Sequence, residues 1–201
     1  HAKVCVIKKK ECSQTKHYAF VSTGNFNENT ARLYGDHCLL TTNRAIIADI
    51  NRTFSFLEAE EHDLDILKKC KTLPTSPTNM RSYFIALIDK EIKAAKKGHT
   101  SGITIKLNSI VDHDFIAKIY EASRVGVDVN LIIRGICCAY TDQKAFKKPI
   151  RAVSIVDEYL EHARVFVFHN NGDPKVYISS ADWMVRNLDH RVETACPILD
   201  P

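Results

Sequence analysis

Two stretches of this chain repeat one pattern, and that repeat limits the possible folds more than any other feature. His1-Ala-Lys-Val-Cys-Val-Ile is echoed by His162-Ala-Arg-Val-Phe-Val-Phe: a histidine, an alanine, a base and an alternating apolar run. In each copy a polar loop follows, and a second run ends alike, as Val21-Ser22-Thr23-Gly24-Asn25-Phe26 and as Ile178-Ser179-Ser180-Ala181-Asp182-Trp183. Such alternation marks half-buried strands. The histidine stands 24 residues before Asn25 in one copy and 20 before Asp182 in the other, a difference expected to fall in the hairpin loop. Asp36 and Glu193 each lie eleven residues further on, so a carboxylate recurs too.

On a strand, residues two apart share a face, so His1 points with Lys3 and His162 with Arg164. An imidazole beside a fixed cation suits attack on phosphorus, since the base neutralises phosphoryl oxygens while a neutral ring nitrogen acts as nucleophile. Lys3, Arg164, the hydroxyls of the loops (Ser180 among them), Asn25 and the N–H groups near Gly24 are the expected phosphate-binding set. A carboxylate on the other ring nitrogen would fix the tautomer and stabilise the imidazolium that forms. Asp36 and Glu193 are the candidates, with Glu193 read as the residue that orients His162. Phe26 and Trp183 are expected to be core anchors under the loops. The other seven histidines lack this context and read as surface or packing residues.

Elsewhere the periodicity gives strands at Val4 to Ile7, Tyr18 to Val21 and Cys38 to Thr41, then a helix over Asn43 to Leu57. The polar stretch Glu58 to Asp65 marks a boundary, giving a first lobe over 1–67 and a second over 68–201. Met80, Tyr83, Phe84, Leu87, Ile88 and Ile92 share a helical face; Lys90, Lys93, Lys96 and Lys97 read as a solvated one. A strand at Ile103 to Leu107, a helix opened by Asp112 and closed by Gly126, and a strand at Val129 to Ile133 form a βαβ unit with parallel strands. Arg134 follows at the carboxyl end of the second strand, where open α/β sheets place ligands, although a surface cation would fit there as well. The expected fold is therefore α/β, with each lobe a mixed β-sheet flanked by helices.

The chain has 201 residues, 45% hydrophobic and 26% charged, with a net charge of +4 concentrated in the second lobe. That excludes disorder and favours an anionic ligand. The apolar run Asn130 to Tyr140 is broken by Arg134, short of the roughly 20 residues a spanning helix needs. Seven cysteines without Cys-x-x-Cys spacing argue against a disulfide framework or a zinc site, so a reducing cytoplasm is expected. Beginning at His1 rather than Met, the sequence reads as part of a longer chain.

A duplicated His-x-Lys or His-x-Arg strand with a small polar Asn or Asp loop resembles the phospholipase D superfamily. The chain is more closely similar to polyphosphate kinases of the bacterial type. His-Ala-Lys, Ser-Thr-Gly-Asn-Phe-Asn-Glu, Thr-Ala-Arg-Leu-Tyr, Ser-Gly-Ile-Thr-Ile-Lys-Leu-Asn, Ile-Arg-Gly-Ile-Cys, Ser-Ile-Val-Asp, Leu-Glu-His and Tyr-Ile-Ser-Ser-Ala-Asp-Trp-Met look like that family's segments. The resemblance implies reversible transfer of the terminal phosphate of ATP to inorganic polyphosphate through a phosphohistidine at His1. It implies that His162 is the second essential histidine, near the nucleotide phosphates, and that Tyr34 and Arg134 hold ATP.

It further implies Mg2+ as cofactor, with ligands mainly upstream of this segment, and ATP, ADP and polyphosphate as partners rather than nucleic acid. It implies a homo-oligomer for the full-length protein and a cytoplasmic location, peripheral to the inner membrane at most. The family's adenine-gripping domain, its helical dimerisation domain and its magnesium-associated arginines have no counterpart here. Glu158 stands where relatives often carry a base, and the loop Ala139 to Pro149 departs from the family's Pro-Gly version. With strand pairing upstream of His1 missing, the segment alone is expected to keep the fold and anion pocket but to turn over feebly. The rivals are a phosphodiesterase or nuclease of the same superfamily and a non-catalytic nucleic-acid-binding module. The module reading is disfavoured because interleaved exposed aromatics and known recognition motifs are missing.

Overall fold

The structure, a computed structural model, describes residues 1–199; the last two residues of the expected second lobe lie outside them. The chain runs through β1 (Lys3–Glu11), β2 (Gln14–Ser22), α1 (Glu28–Ala31), β3 (Tyr34–Gly35), β4 (Cys38–Thr41), α2 (Arg44–Glu58) and α3 (Leu64–Lys68). It continues with β5 (Thr75–Ser76), α4 (Met80–Lys96), β6 (Gly102–Leu107), α5 (His113–Val125), β7 (Asp128–Ile133), β8 (Arg151–Val153) and β9 (Leu160–Glu161). The last elements are β10 (Arg164–Phe168), β11 (Lys175–Ser179), α6 (Val185–Leu188) and β12 (Glu193–Ile198).

Local chemistry sets the main boundaries. Asn43 opens α2 by accepting from the N–H groups of Ala45 and Ile46. Asp112 opens α5 by accepting from Phe115 N at 3.1 Å, and Gly126 closes it at φ 95°, a left-handed cap that residues with a Cβ rarely adopt. The strands on either side of α5, β6 and β7, pair in parallel from Gly102↔Asp128 to Leu107↔Ile133, as the βαβ reading requires.

Three sheets result. One is antiparallel in the order β1-β2-β4, one has seven strands in the order β5-β12-β11-β10-β6-β7-β8, and β3 and β9 form a short parallel pair. The seven-stranded sheet is mixed and flanked by helices, so the fold is of the expected α/β class. The repeat is structural as well as sequential. Lys3 pairs with Ser22 and Ser22 with Cys38; Arg164 pairs with Ser179 and Ser179 with Ala195.

The hairpin expectation needs correction. The extra residues of the first copy lie in its strands, nine residues each against five, while its turn is the tighter one, with Cys12 at φ 54°. The second copy's shorter strands are joined by a looser turn containing a single 3-10 turn at Asn170–Gly172. Strand pairing recovers a hydrogen bond or two with each added residue, so lengthening β1 and β2 together leaves the site end of the hairpin in register.

The larger core lies beneath the seven-stranded sheet, where Phe84, Phe115, Phe166 and Trp183 meet; the Phe115 and Trp183 rings stack at 3.8 Å. A second core joins the two repeats. Ala19, Val21, Ile46, Ile47 and Ile50 of the first pack with Leu73, Ile178 and Cys196. The connecting segment is tied down by Asp49 on α2, whose Oδ2 accepts from the N–H groups of Lys71, Thr72 and Leu73 at 2.9, 2.6 and 3.0 Å. All seven cysteines are unpaired. Among the described residues no helix is long and apolar enough to cross a membrane.

Candidate active site

Each hairpin ends in a loop built by the same four hydrogen bonds. In the first copy, Thr23 N donates to His37 O (3.0 Å), His37 N to Thr23 Oγ1 (3.0 Å), Gly24 N to Ser22 Oγ (3.1 Å), and Thr23 Oγ1 to Asp36 Oδ1 (2.6 Å). In the second, Ser180 N donates to Thr194 O (3.1 Å), Thr194 N to Ser180 Oγ (3.2 Å), Ala181 N to Ser179 Oγ (3.0 Å), and Ser180 Oγ to Glu193 Oε2. The hydroxyls of Thr23 and Ser180 thus hold carboxylates. Ser180 is buried and engaged in this way, so its expected place among the phosphate donors is corrected.

The two repeats cross-connect at the histidines. Ala163 N donates to Gly35 O at 2.9 Å, and the equivalent Ala2 N donates to Val192 O at 2.8 Å. Each histidine strand therefore starts against the residue that precedes the other repeat's carboxylate. Through this pairing His162 meets Asp36, its Nδ1 lying 2.9 and 3.0 Å from the two carboxylate oxygens. Asp36, not Glu193, orients His162. Glu193 is buried within its own repeat, accepting from Ser180 Oγ and from Asn187 Nδ2 at 2.9 Å.

On its other nitrogen, His162 Nε2 accepts from Arg164 Nη1 at 3.0 Å. With Asp36 taking the Nδ1 proton, this network leaves Nε2 as the unprotonated nitrogen. Arg164 is buried; it pairs with Asp182 (Nη2–Oδ2 3.1 Å) and donates to Thr23 O at 3.2 Å, linking the two loops. The guanidinium so fixed backs His162 rather than standing free for substrate. Burial by itself would raise the pKa of Asp36, yet the hydrogen bonds from His162 and Thr23 and the charge of Arg164 hold it below the usual carboxylate range. Asp182 is likewise held low against its burial, by Arg164 and Asn108.

Gly24 is required by this arrangement. A Cβ there would sit 1.9 Å from Asp36 Oδ2. At the equivalent point the second repeat carries Ala181 and the longer Glu193.

The remaining expected residues take the following places. His1 is exposed at the head of β1. Lys3 is half-buried, and burial depresses its ammonium, with Glu193, Arg164, Asp36 and Arg191 all within electrostatic reach. Asn25 is exposed. Tyr34 lies against His162, ring centroids 5.0 Å apart. Arg134, at the end of β7, donates from Nε to Asn108 Oδ1 at 2.8 Å.

Trp183 is fully buried, as a core anchor must be, whereas Phe26 is 54% exposed and lies against Phe20. The layer of α4 and α5 that buries Trp183 has no equivalent beside Phe26 among the described residues.

Asn108 went unnoticed in the sequence reading. This buried residue at the end of β6 donates from its side chain to His162 O at 3.2 Å and from its backbone to Asp182 Oδ1 at 2.8 Å, while its side-chain oxygen receives Arg134. The strand-end rule that singled out Arg134 applies equally to it. Lys106 was missed too: it pairs with Glu161 at 3.1 Å and donates to Ala163 O at 3.1 Å, flanking His162 on both sides. Among the described residues no three His, Cys, Asp or Glu side chains are grouped to hold a metal ion. The residues present do not fit a magnesium site.

Comparison with known proteins bears on this geometry. Residues 73–201 match the family model described as polyphosphate kinase C-terminal domain 2, and residues 1–63 match polyphosphate kinase C-terminal domain 1. The chain is 47% identical over 201 residues to a polyphosphate kinase of Escherichia coli (strain K12), covering all of this chain and 29% of that protein. It is 44% identical over 200 residues to one of Vibrio cholerae, covering 28% of it. The crystal structure of polyphosphate kinase from Porphyromonas gingivalis superimposes with a TM-score of 0.89 at 41% identity, over the whole of this chain and 30% of that one. The chain thus spans less than a third of these relatives, and it belongs to the polyphosphate kinase family, corresponding to the C-terminal portion of its members.

Proposed function

We propose that this chain carries the phosphoryl-transfer centre of an ATP:polyphosphate phosphotransferase, working through a phosphohistidine at His1. A ring nitrogen of His1 attacks the γ-phosphorus of ATP, the bond to the β,γ-bridging oxygen breaks, and ADP leaves. A terminal oxygen of inorganic polyphosphate then attacks the same phosphorus, the P–N bond breaks, and the polymer is one unit longer; the reverse sequence makes ATP. His162, neutral at Nε2 and steadied by Asp36, is suited to proton transfer or to stabilising charge on the nucleotide phosphates. Tyr34 and Arg134 hold ATP, and Lys3 steadies phosphoryl oxygens beside His1. Mg2+ accompanies the nucleotide, held by residues outside this segment. The location is cytoplasmic, and the segment by itself turns over feebly.

The observation that supports this most is the Asp36–His162 contact between repeats, because it gives an oriented imidazole beside Arg164, whose charge also acts on Lys3. The test is to incubate the full-length protein with ATP labelled in the γ-phosphate. An acid-labile, base-stable label on His1 that chases into polyphosphate is expected. Cleavage of a phosphodiester without use of ATP would replace this reading with the phosphodiesterase one.

A further inference from the structure

The first hairpin outruns the strand beside it. β2 has nine residues, but β4 pairs only with Ala19 to Ser22, so Gln14 to Tyr18 have a partner strand on the β1 side alone. In the second repeat β12 pairs with β11 from Val176 to Ser179, four of its five residues, and leaves almost no such edge. The difference arises because β4 stops at Thr41, just before Asn43 caps α2.

α2 passes alongside this open edge and encloses with it a cleft of about 820 Å3. Thr15, Lys16 and His17 line the cleft from the strand, and Thr42, Arg44 and Asn51 line it from the helix side. No Asp or Glu is among its lining residues. Lys8 and Lys10 stand directly across from His17 and Thr15, and so on the same face of the hairpin. The one acidic residue of the hairpin, Glu11, is taken by Lys9 at 2.8 Å and by Lys16 at 2.6 Å. Among the described residues Lys8, Lys10 and Arg44 make no ion pair. Cations, hydroxyl and amide donors and an open strand edge thus share one space that holds no competing carboxylate, which is what an anion with many oxygens requires.

We propose that this cleft is a second binding site for the inorganic polyphosphate chain, remote from the transfer centre, which holds the polymer while its end is at His1. The choice of polyphosphate rests on the proposed function. His17 lies opposite Lys8, seven residues along the strand from His1, or about 24 Å away. Tripolyphosphate is too short to bridge that distance, whereas a long chain can occupy both places and gain from the raised effective concentration of its end. Nucleic acid fits less well, because single strands are held by rows of aromatic rings on which bases stack, and Tyr18 is the only Phe, Tyr or Trp lining the cleft.

The experiment measures equilibrium binding of long-chain inorganic polyphosphate, tripolyphosphate and single-stranded DNA to the full-length protein over a range of salt, with a Lys10→Gln/Arg44→Gln variant. Long-chain polyphosphate is expected to weaken by roughly tenfold, and its salt slope to fall by roughly 1.4, the loss of two phosphate contacts. Tripolyphosphate binding and labelling of His1 by ATP should stay within about twofold of wild type, since both residues stand far from the centre. Unchanged long-chain affinity, or an equal loss for tripolyphosphate, overturns the proposal. DNA that binds as tightly as polyphosphate of equal charge, and weakens equally in the variant, overturns it in favour of a nucleic-acid site. Should the double variant fail to fold, Arg44→Gln alone decides, and wild-type affinity for the long chain in that variant overturns the proposal. A wild-type protein that holds the long chain through these residues but takes no phosphate from ATP sinks the proposed function and leaves the cleft standing. Active wild-type protein with an indifferent variant does the reverse.

Discussion

Asp36 and His162 are 126 residues apart in sequence, yet the Nδ1 of one lies 2.9 Å from a carboxylate oxygen of the other. The contact joins the first repeat to the second, so neither repeat contains a complete imidazole–carboxylate pair around His162.

Asp36→Asn removes the charge that fixes the His162 tautomer while leaving the side chain's size unchanged. Transfer from ATP to polyphosphate should fall by about a hundredfold or more, with some loss of stability near neutral pH because the charged acceptor of His162 and Thr23 is gone. Glu193→Gln, whose side chain faces Ser180 and Asn187 rather than His162, should lower transfer far less. Steady-state rates distinguish the two, and equal losses would contradict the assignment of Asp36 to His162.

Gly24→Ala forces a methyl group onto Asp36, since the added Cβ falls 1.9 Å from Oδ2. The carboxylate must leave His162 or the loop must shift. A loss of roughly 1–3 kcal/mol in stability is expected, accompanied by a drop in rate. The reciprocal Ala181→Gly should be far milder. Urea titration of the two variants gives the comparison directly.

Asn108→Ala frees Arg134 and the His162 backbone together. On the proposal that Arg134 holds ATP, KM for ATP should rise by roughly tenfold, with KM for polyphosphate changing less. Equal changes in both constants would show Asn108 to be merely structural.

Acid titration of stability should show the lowered carboxylates. The folded pKa of Asp36 and that of Asp182 both lie below the usual value of 3.8. Their contribution is therefore present above that value and is lost as pH falls through the depressed one. Asp36→Asn should flatten the dependence of stability on pH below about 4; a curve parallel to wild type in that range would count against the Asp36–His162 pair.

Asp49→Ala should cost about 2–4 kcal/mol, since three backbone N–H groups at Lys71 to Leu73 lose their acceptor. The connecting segment would then loosen, and limited proteolysis should cut it near residue 71 before any other site.

Much of this architecture was legible in the amino-acid order. The duplicated His-Ala-base strands, the βαβ unit, the Asp112 and Gly126 ends of α5 and the place of Arg134 all depend on alternation, capping and turn chemistry, which act within a few residues. The site was only half legible. Asp36 and Glu193 stand at equal offsets, and local spacing cannot tell which histidine each one meets. That choice was made when Val21, Ile46 and Ile50 packed with Ile178 and Cys196, and when β3 paired with β9. Burial of those two apolar faces brings Tyr34 and Asp36 across to His162.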